Sequence, residues 1–416
     1  MSALRRDLWA PVALSYVTFI LVGVSAGVGG VLLPAQMDDY GLDKATIGTQ
    51  FFAFSAGFML SGSTAGPLIH RFGIRASLLL GGGTFALAGL FTAVRPPFLA
   101  FLVAQVVAGY GTGVFESVLN AYLTDLPGAT TLLNRLHAFF GVGALLGPLL
   151  ATWILTFLPW TAVWLVLALV CLPLLIGFYL TLPAREAPPP TPAGEHPGEH
   201  AGPATGGLLS TAARQPAVLL GAVFLAVYVG LEISVGNWGF SFLVDEHGQS
   251  DLLAGYTISG YWLGLTLGRF LISPIATRLG MTATGMTFLC LAGVTLSTAL
   301  AWLVPGAAMA SVSFVLLGFW LGPVFPTTMA VAPRLTVTRL VPTAIGLING
   351  VSVVGGAVFP WLTGAIAQGI GAWTLPPFAL ALALLQLVIW WLVTTRMTPA
   401  PTPPVSGVPA RDQEAI

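Results

Sequence analysis

Apolar runs long enough to cross a bilayer recur about twelve times along the 416-residue chain, separated by charged or proline-rich breaks. No other feature constrains the fold as strongly, because a hydrocarbon core about 30 Å thick asks for roughly 20 apolar residues per helix. The expected spans are 9–34, 45–69, 75–94, 98–123, 136–158 and 160–182, then 216–243, 252–276, 282–303, 306–331, 341–367 and 373–395. Only 7% of residues are charged, against roughly a quarter in a soluble domain, so the runs are not the cores of separate soluble units. The expected class is an all-α membrane protein of twelve transmembrane helices. Arg5 and Arg6 precede a first run longer than the roughly 7–15 apolar residues of a signal-peptide core, and no small-residue cleavage site follows, so a retained first span is expected.

Between the sixth and seventh spans, the stretch APPPTPAGEHPGEHAGPATGG is too polar and proline-rich to span. It divides the chain into an N-terminal six-helix bundle (1–182), a cytoplasmic linker (183–215), a C-terminal six-helix bundle (216–396) and a disordered tail (397–416). His196 and His200 with Glu195 and Glu199 have metal-ligand residue types, but the stretch reads as a hydrated flexible linker and not as a metal site. No metal site and no cofactor are expected. Cys171 and Cys290 lie in apolar runs without companions at ligand spacing, which leaves neither a zinc site nor a disulfide framework. A formal net charge of zero excludes the basic footprint of a nucleic-acid binder.

Basic residues orient the chain. With the N-terminus inside, one face carries only Lys44 and Arg95, whereas Arg5, Arg6, Arg71, Arg75, Arg135, Arg185, Arg214, Arg278, Arg334, Arg339, Arg396 and Arg411 fall on the other, and Arg269 remains within a helix. Both termini are therefore expected in the cytoplasm, with the chain multi-pass in the inner (plasma) membrane. The sequence carries no mark of lateral oligomerisation, and a monomer among membrane lipids is the expected unit.

The two halves repeat one another. A shift of 207 residues superposes Gly57 on Gly264, Pro67 on Pro274, Arg71 on Arg278 and Gly73 on Gly280; a shift of 209 superposes Gly109 and Gly113 on Gly318 and Gly322; a shift of 212 superposes Gly143 and Pro148 on Gly355 and Pro360. Parallel six-helix repeats of this kind are one of the known transporter symmetries.

Among the 15 acidic residues only Glu116 and Glu232 sit near the middle of expected helices. A carboxylate at mid-bilayer costs about 2.5–3.5 kcal/mol, which several leucines must offset. Such a group either exchanges a proton as it faces one solution and then the other, or stays protonated and hydrogen-bonds a neighbouring helix. Gly109, Gly113, Glu116 and Asn120 share one helix face. Asn134 and His137 precede FFGVGALLGPLL at the start of the fifth helix, where His137 beside Arg135 reads either as a substrate contact or as a cytoplasmic-end cap. In the seventh span, Glu232, Asn237 and Trp238 combine carboxylate, amide and aromatic groups, the equipment that grips a sugar by ring stacking and hydroxyl bonding. Trp238 reads equally as part of an interfacial belt.

The loop GPLIHRFGIRAS resembles the signature between the second and third helices of the major facilitator superfamily, with Gly66, Arg71, Gly73 and Arg75 in place. The acidic residue often found early in that motif is absent, Thr64, Ala65 and Gly66 standing there. Glu116 with Asn120, then Asn134 and His137, then Tyr228, Val229, Gly230, Glu232, Gly236 and Trp238 resemble the fucose permease branch, as do GPVFPTTMA and GLINGVSVVGGAVFPWLTGAI. The resemblance implies the major facilitator fold, with helices one, four, seven and ten lining a cavity that Glu116, Asn120, Glu232 and Asn237 face. It also implies that Glu116 handles protons and substrate and that His137 faces the substrate. Bacterial fucose permease has an aspartate just before the leucine-leucine-proline ending helix one; here Gly30 precedes Val31, Leu32, Leu33 and Pro34.

The expected function is secondary active transport of a small polar solute, a sugar, by alternating access with proton symport. Two readings stand beside it: a proton-driven efflux antiporter of amphipathic compounds, for which 25 phenylalanines supply material, and a receptor or scaffold that keeps the fold without flux. No Ser-His-Asp grouping, metal cluster or phosphate loop points to an enzyme.

Overall fold

A computed structural model describes residues 6–183 and 205–397, and among them the chain forms helices and no strand. The four His and Glu residues of the linker (195–200) and the tail from 398 lie outside the described residues. The N-terminal half contains α1 (Arg6–Tyr40), α2 (Lys44–Ile47), α3 (Thr49–Ala93), α4 (Phe98–Thr124), α5 (Ala129–Leu155) and α6 (Thr161–Thr181). After α7 (Thr205–Ala213), the C-terminal half contains α8 (Pro216–Asp245), α9 (Asp251–Arg278), α10 (Ala283–Leu303), α11 (Ala307–Leu321), α12 (Val324–Val331), α13 (Val341–Ile370) and α14 (Leu375–Thr394).

Helix count and span count differ for local reasons. The expected second and third spans run together as α3, broken at Gly73, whose φ of 81° and ψ of 169° only glycine adopts without strain. Gly280, its repeat partner, ends α9 with φ 69°. The tenth span divides at Gly322–Pro323 into α11 and α12, since proline offers no N–H to continue the ladder. Ten stretches are long and apolar enough to cross a membrane by length and composition; one of them, Lys44–Ala93, holds two spans. The remaining span is α9, diluted by Thr257, Thr266, Arg269, Ser273 and Thr277. Within the interval expected to be a hydrated linker, α7 is helical and its Ala212 is fully buried.

Matched glycines of the repeat prove to be where matched helices touch. A Cβ on Gly57 or Gly109 would strike the carbonyls of Val106 or Phe54 between α3 and α4, and one on Gly264 or Gly318 would strike those of Val315 or Tyr261 between α9 and α11. Gly143 lies likewise on Ile20 of α1, and Gly355 on Ala226 of α8.

Contacts bridging the halves gather at the end bearing loop 41–48. The first turn of α2 is capped by Asp43, whose Oδ1 accepts from the Thr46 N–H at 2.6 Å. Its Lys44 then reaches across: the backbone N–H donates to Gln368 Oε1 at 3.0 Å, and Nζ donates to Asp245 Oδ2 at 3.0 Å. Phe52 meets Trp361 edge-on, their centroids 5.7 Å apart. Deeper in, Gly30 of α1 lies on the Gly236 and Asn237 carbonyls of α8, while Gly141 and Thr152 of α5 meet Thr266 and Gly255 of α9. At the opposite end a cavity of about 350 Å³ opens beside Met281 and Thr282. The molecule is thus sealed by contacts between its halves at the loop 41–48 end, while the cavity that opens at the linker end is walled by α9, α10 and α12.

The Lys44–Asp245 pair is part exposed, with side-chain exposures of 18% and 46%, so its loss is worth at most about 1 kcal/mol, a factor of roughly five in a two-state population. Lys44→Ala is expected to shift the sealed-to-open ratio at this end by two- to five-fold. Spin labels at the exposed positions Asp43 and Gly369, read by distance distributions, check this; Cys171 and Cys290 are buried and do not compete for label.

Candidate functional site

On α4, Glu116 and Asn120 stand one turn apart on the face that packs Gly109 and Gly113 against α3. Asn120 Nδ2 donates to the Glu116 carbonyl at 2.7 Å, and its Oδ1 lies 3.2 Å from Nε2 of His137 on α5. Phe19 of α1 braces the imidazole edge-on at 5.6 Å. Among the described residues no side chain hydrogen-bonds the Glu116 carboxylate, whereas Asn120 bonds back within α4 through Nδ2 and joins α4 to α5 through Oδ1. Asn134 is exposed one turn before His137 toward the linker end, and His137 itself is exposed.

The second carboxylate has a partner that sequence reading left unplaced. Glu232 Oε1 lies 3.9 Å from Nη2 of Arg269 on α9, with side-chain exposures of 12% and 26%. Tyr228, one turn before Glu232, brings its hydroxyl beside both charged groups and donates to the Leu321 carbonyl at 3.1 Å. Tyr261 donates to the Glu232 carbonyl at 2.9 Å, fixing α8 to α9 at this level. Arg269 Nε donates to the Gly322 carbonyl at 3.3 Å, a contact allowed by the missing side chain at Gly322. Arg269 is also close enough to His137 for their charges to interact, so the polar groups of the two halves meet across the gap. Its one signal in the sequence was being the lone cation inside a span.

Asn237 and Trp238 sit elsewhere. Asn237 is 8% exposed, donates to the Ile233 carbonyl at 2.9 Å and packs at the α1–α8 crossing beside Gly29 and Gly30. Gly30, where a fucose permease carries acid, has no room for a side chain, because a Cβ there would fall 2.6 Å from the Gly236 carbonyl. Trp238 is 3% exposed, donates Nε1 to the Pro360 carbonyl at 2.7 Å and fills the space over Gly364. It clamps α8 to α13 and does not reach the cavity. At the linker end, Gly66, Arg71 and Arg278 are exposed; Arg71 lies over the Phe72 ring at 5.3 Å. Arg75 donates to the Leu182 carbonyl at the C-terminal end of α6 at 3.4 Å and covers the Tyr179 ring at 5.1 Å. Gly73 provides the reversal between these arginines.

Two repeats of six helices, sealed at one end and open at the other around paired polar clusters, describe a transporter architecture. A family profile described as Major Facilitator Superfamily matches residues 15–280 and 225–414. The chain belongs to the Major Facilitator Superfamily. It is accordingly a multi-pass membrane transporter for small molecules and not an enzyme. Among superfamily relatives, bypass of stop codon protein 6 of Saccharomyces cerevisiae is 24% identical over 411 residues, covering 90% of this chain and 80% of the relative. The glucose/galactose transporter of Brucella abortus biovar 1 is 25% identical over 376 residues, covering 85% of this chain and 86% of the relative. The solved structure of the E. coli fucose:proton symporter FucP aligns over 95% of this chain and 100% of its own, with 19% identity and a TM-score of 0.63, a likeness of fold.

Removing one member of a buried ion pair leaves the other uncompensated, at about 3–5 kcal/mol when the pair is dry. Glu232 and Arg269 retain some exposure, so Arg269→Gln is expected to cost roughly 2–3 kcal/mol. The double variant Arg269→Gln/Glu232→Gln is expected to recover most of it. Thermal denaturation of the purified variants checks both.

Proposed function

We propose that the protein is a proton-coupled symporter of a small polar solute, a sugar, working by alternating access between its halves. The supporting observation is the division of labour at mid-membrane: an unpartnered Glu116 carboxylate in one half, and the Glu232–Arg269 pair with its two tyrosines in the other. A carboxylate whose charge no neighbour compensates changes its energy most when the cavity turns from one solution to the other, which is the requirement for a proton carrier. The Asn120–His137 bridge supplies amide and imidazole groups for hydroxyls. Tyr228 and Tyr261, both fully buried, hold the Glu232–Arg269 pair in place from within the opposite half. The glucose/galactose transporter and the fucose:proton symporter, by their names, carry the same solute class and, in the second case, protons.

Within this reading Glu116 is the proton site, with Glu232 as the second carboxylate. Asn120, His137 and Asn134 form the solute-facing wall of the N-terminal half, and Asn237 and Trp238 support the C-terminal wall from behind. Both termini lie in the cytoplasm of a cell whose plasma membrane holds the chain, and the open state described above faces inward. Arg71, Arg75 and Arg278 then sit on the cytoplasmic face, where they pair with carbonyls, helix ends and lipid headgroups as the halves move.

Glu116→Gln removes the ionisable proton site while keeping the hydrogen-bonding shape. Proteoliposomes bearing this variant are expected to lose at least about ten-fold of sugar accumulation under an inward proton gradient, yet to keep exchange of internal for external sugar at equal pH. Undiminished accumulation by the variant would remove Glu116 from the coupling step.

A further inference from the structure

Arg269 is the unabsorbed feature of the molecule. A guanidinium has five N–H donors in a planar fork. Here Nε is taken by the Gly322 carbonyl at 3.3 Å, and Nη2 stands 3.9 Å from Glu232, beyond hydrogen-bonding distance. The Tyr228 hydroxyl donates to the Leu321 carbonyl and sits within reach of both Arg269 and Glu232, its oxygen meeting at most one of the remaining donors. More donors therefore remain than close acceptors to meet them, in a side chain that is 26% exposed. Arg269 heads the cavity of about 350 Å³ whose wall continues along α9 through Ser273 and Thr277 and is faced by Thr327 of α12. Positions 269, 273 and 277 follow at four-residue spacing from the face on which Thr266 meets Gly141 of α5. The fork thus heads a cavity walled by α9, α10 and α12, with hydroxyls leading to it from the open end.

We propose that the solute bears a carboxylate, as a hydroxylated sugar acid does, and that Arg269 is the group that receives it. The inference rests on the sugar-symport reading and narrows its substrate class. A planar carboxylate matches the fork through two parallel N–H···O bonds, which a hydroxyl of a neutral sugar does not. Ser273 and Thr277 then line the path and meet the remaining hydroxyls.

Seating the anion also changes Glu232. Its charge is compensated by Arg269, with the Tyr228 hydroxyl beside both groups; once the guanidinium is engaged by the solute, Glu232 loses that counter-charge while it stays largely buried. It takes up a proton, so that one positive and one negative charge occupy the site before and after binding. The groups facing it are Tyr228 on its own helix and Arg269 and Tyr261 on α9, with His137 of α5 acting on Arg269. Solute anion and proton therefore bind together, and the transfer through this half is electroneutral.

The test compares galacturonate with galactose, and with benzoate as a carboxylate lacking sugar hydroxyls, on the purified full chain in detergent. Binding is read by thermal shift, and proton uptake by an indicator dye in weak buffer. Galacturonate is expected to bind at least about ten-fold more tightly than galactose, the scale of one charge-assisted hydrogen bond, with one proton taken up per anion bound. Arg269→Lys keeps the charge and loses the fork, and is expected to weaken galacturonate by several-fold and reduce its advantage over galactose. Equal affinity for galactose and galacturonate, unchanged in Arg269→Lys, overturns the inference while leaving sugar transport standing. Benzoate binding as tightly as galacturonate, with the same Arg269 dependence, keeps the anion site and overturns the sugar reading. No binding of any of the three overturns both. The comparison among ligands on the unaltered protein decides the matter even if the variant fails to fold.

Discussion

Helices in hydrocarbon gain nothing by hiding apolar surface from one another, so association rests on close van der Waals approach and on the few polar bonds between them. Here that approach is made by glycine pairs. Gly57 and Gly109 bring α3 onto α4, and Gly264 and Gly318 bring α9 onto α11, with backbone against backbone. The polar site inherits its geometry from these crossings. Gly322 sits where α11 ends against α9, and only the absence of its side chain lets its carbonyl receive Arg269. Gly30 does the same at the α1–α8 crossing, and the cost is chemical: no acid fits there.

The repeat duplicates this scaffold without duplicating the chemistry. Under the 207-residue shift Arg269 corresponds to Gly62, and under the 209-residue shift Glu116 corresponds to Phe325. One half therefore carries a carboxylate with no counter-charge, joined through Asn120 to an imidazole. The other carries a compensated ion pair flanked by two phenols. A single proton alters the charge of the first cluster outright, whereas the second responds only when its pairing changes. One duplicated fold thus surrounds an asymmetric polar centre.

Much of this was legible in the sequence, because membrane spans are written in long one-dimensional signals. The twelve runs, the break before α8 and the glycine repeat all follow from spacing alone, and Gly73 marked the turn inside α3. Lys44 was visible as one of only two basic residues on its face, but not as the hinge of a seal, since Asp245 and Gln368 are brought to it by packing across 201 and 324 residues. Arg269 and Glu232 were each conspicuous; their pairing depends on the rotation of α9 about its axis, which hydropathy does not encode. Trp238 shows the opposite limit. Beside an amide and a carboxylate it reads as a sugar platform, yet a helix turns about 100° per residue, and its neighbour's direction says nothing of its own. It points to Pro360 and closes the α8–α13 crossing.

The seal at the loop 41–48 end is built from contacts of a particular strength. Lys44 makes one partly exposed ion pair and one amide hydrogen bond, and Phe52 adds a single aromatic edge, each worth on the order of 1 kcal/mol or less. Their sum is comparable to the few kcal/mol that separate the two states of a working switch, and far below the cost of opening a glycine-packed crossing within a half. At this end weak terminal contacts join the halves, whereas deeper in they meet at the Gly30 and Gly141 crossings, so the terminal contacts are the first to yield. Their loss leaves the glycine-packed helices that carry Glu116, His137 and Arg269 undisturbed.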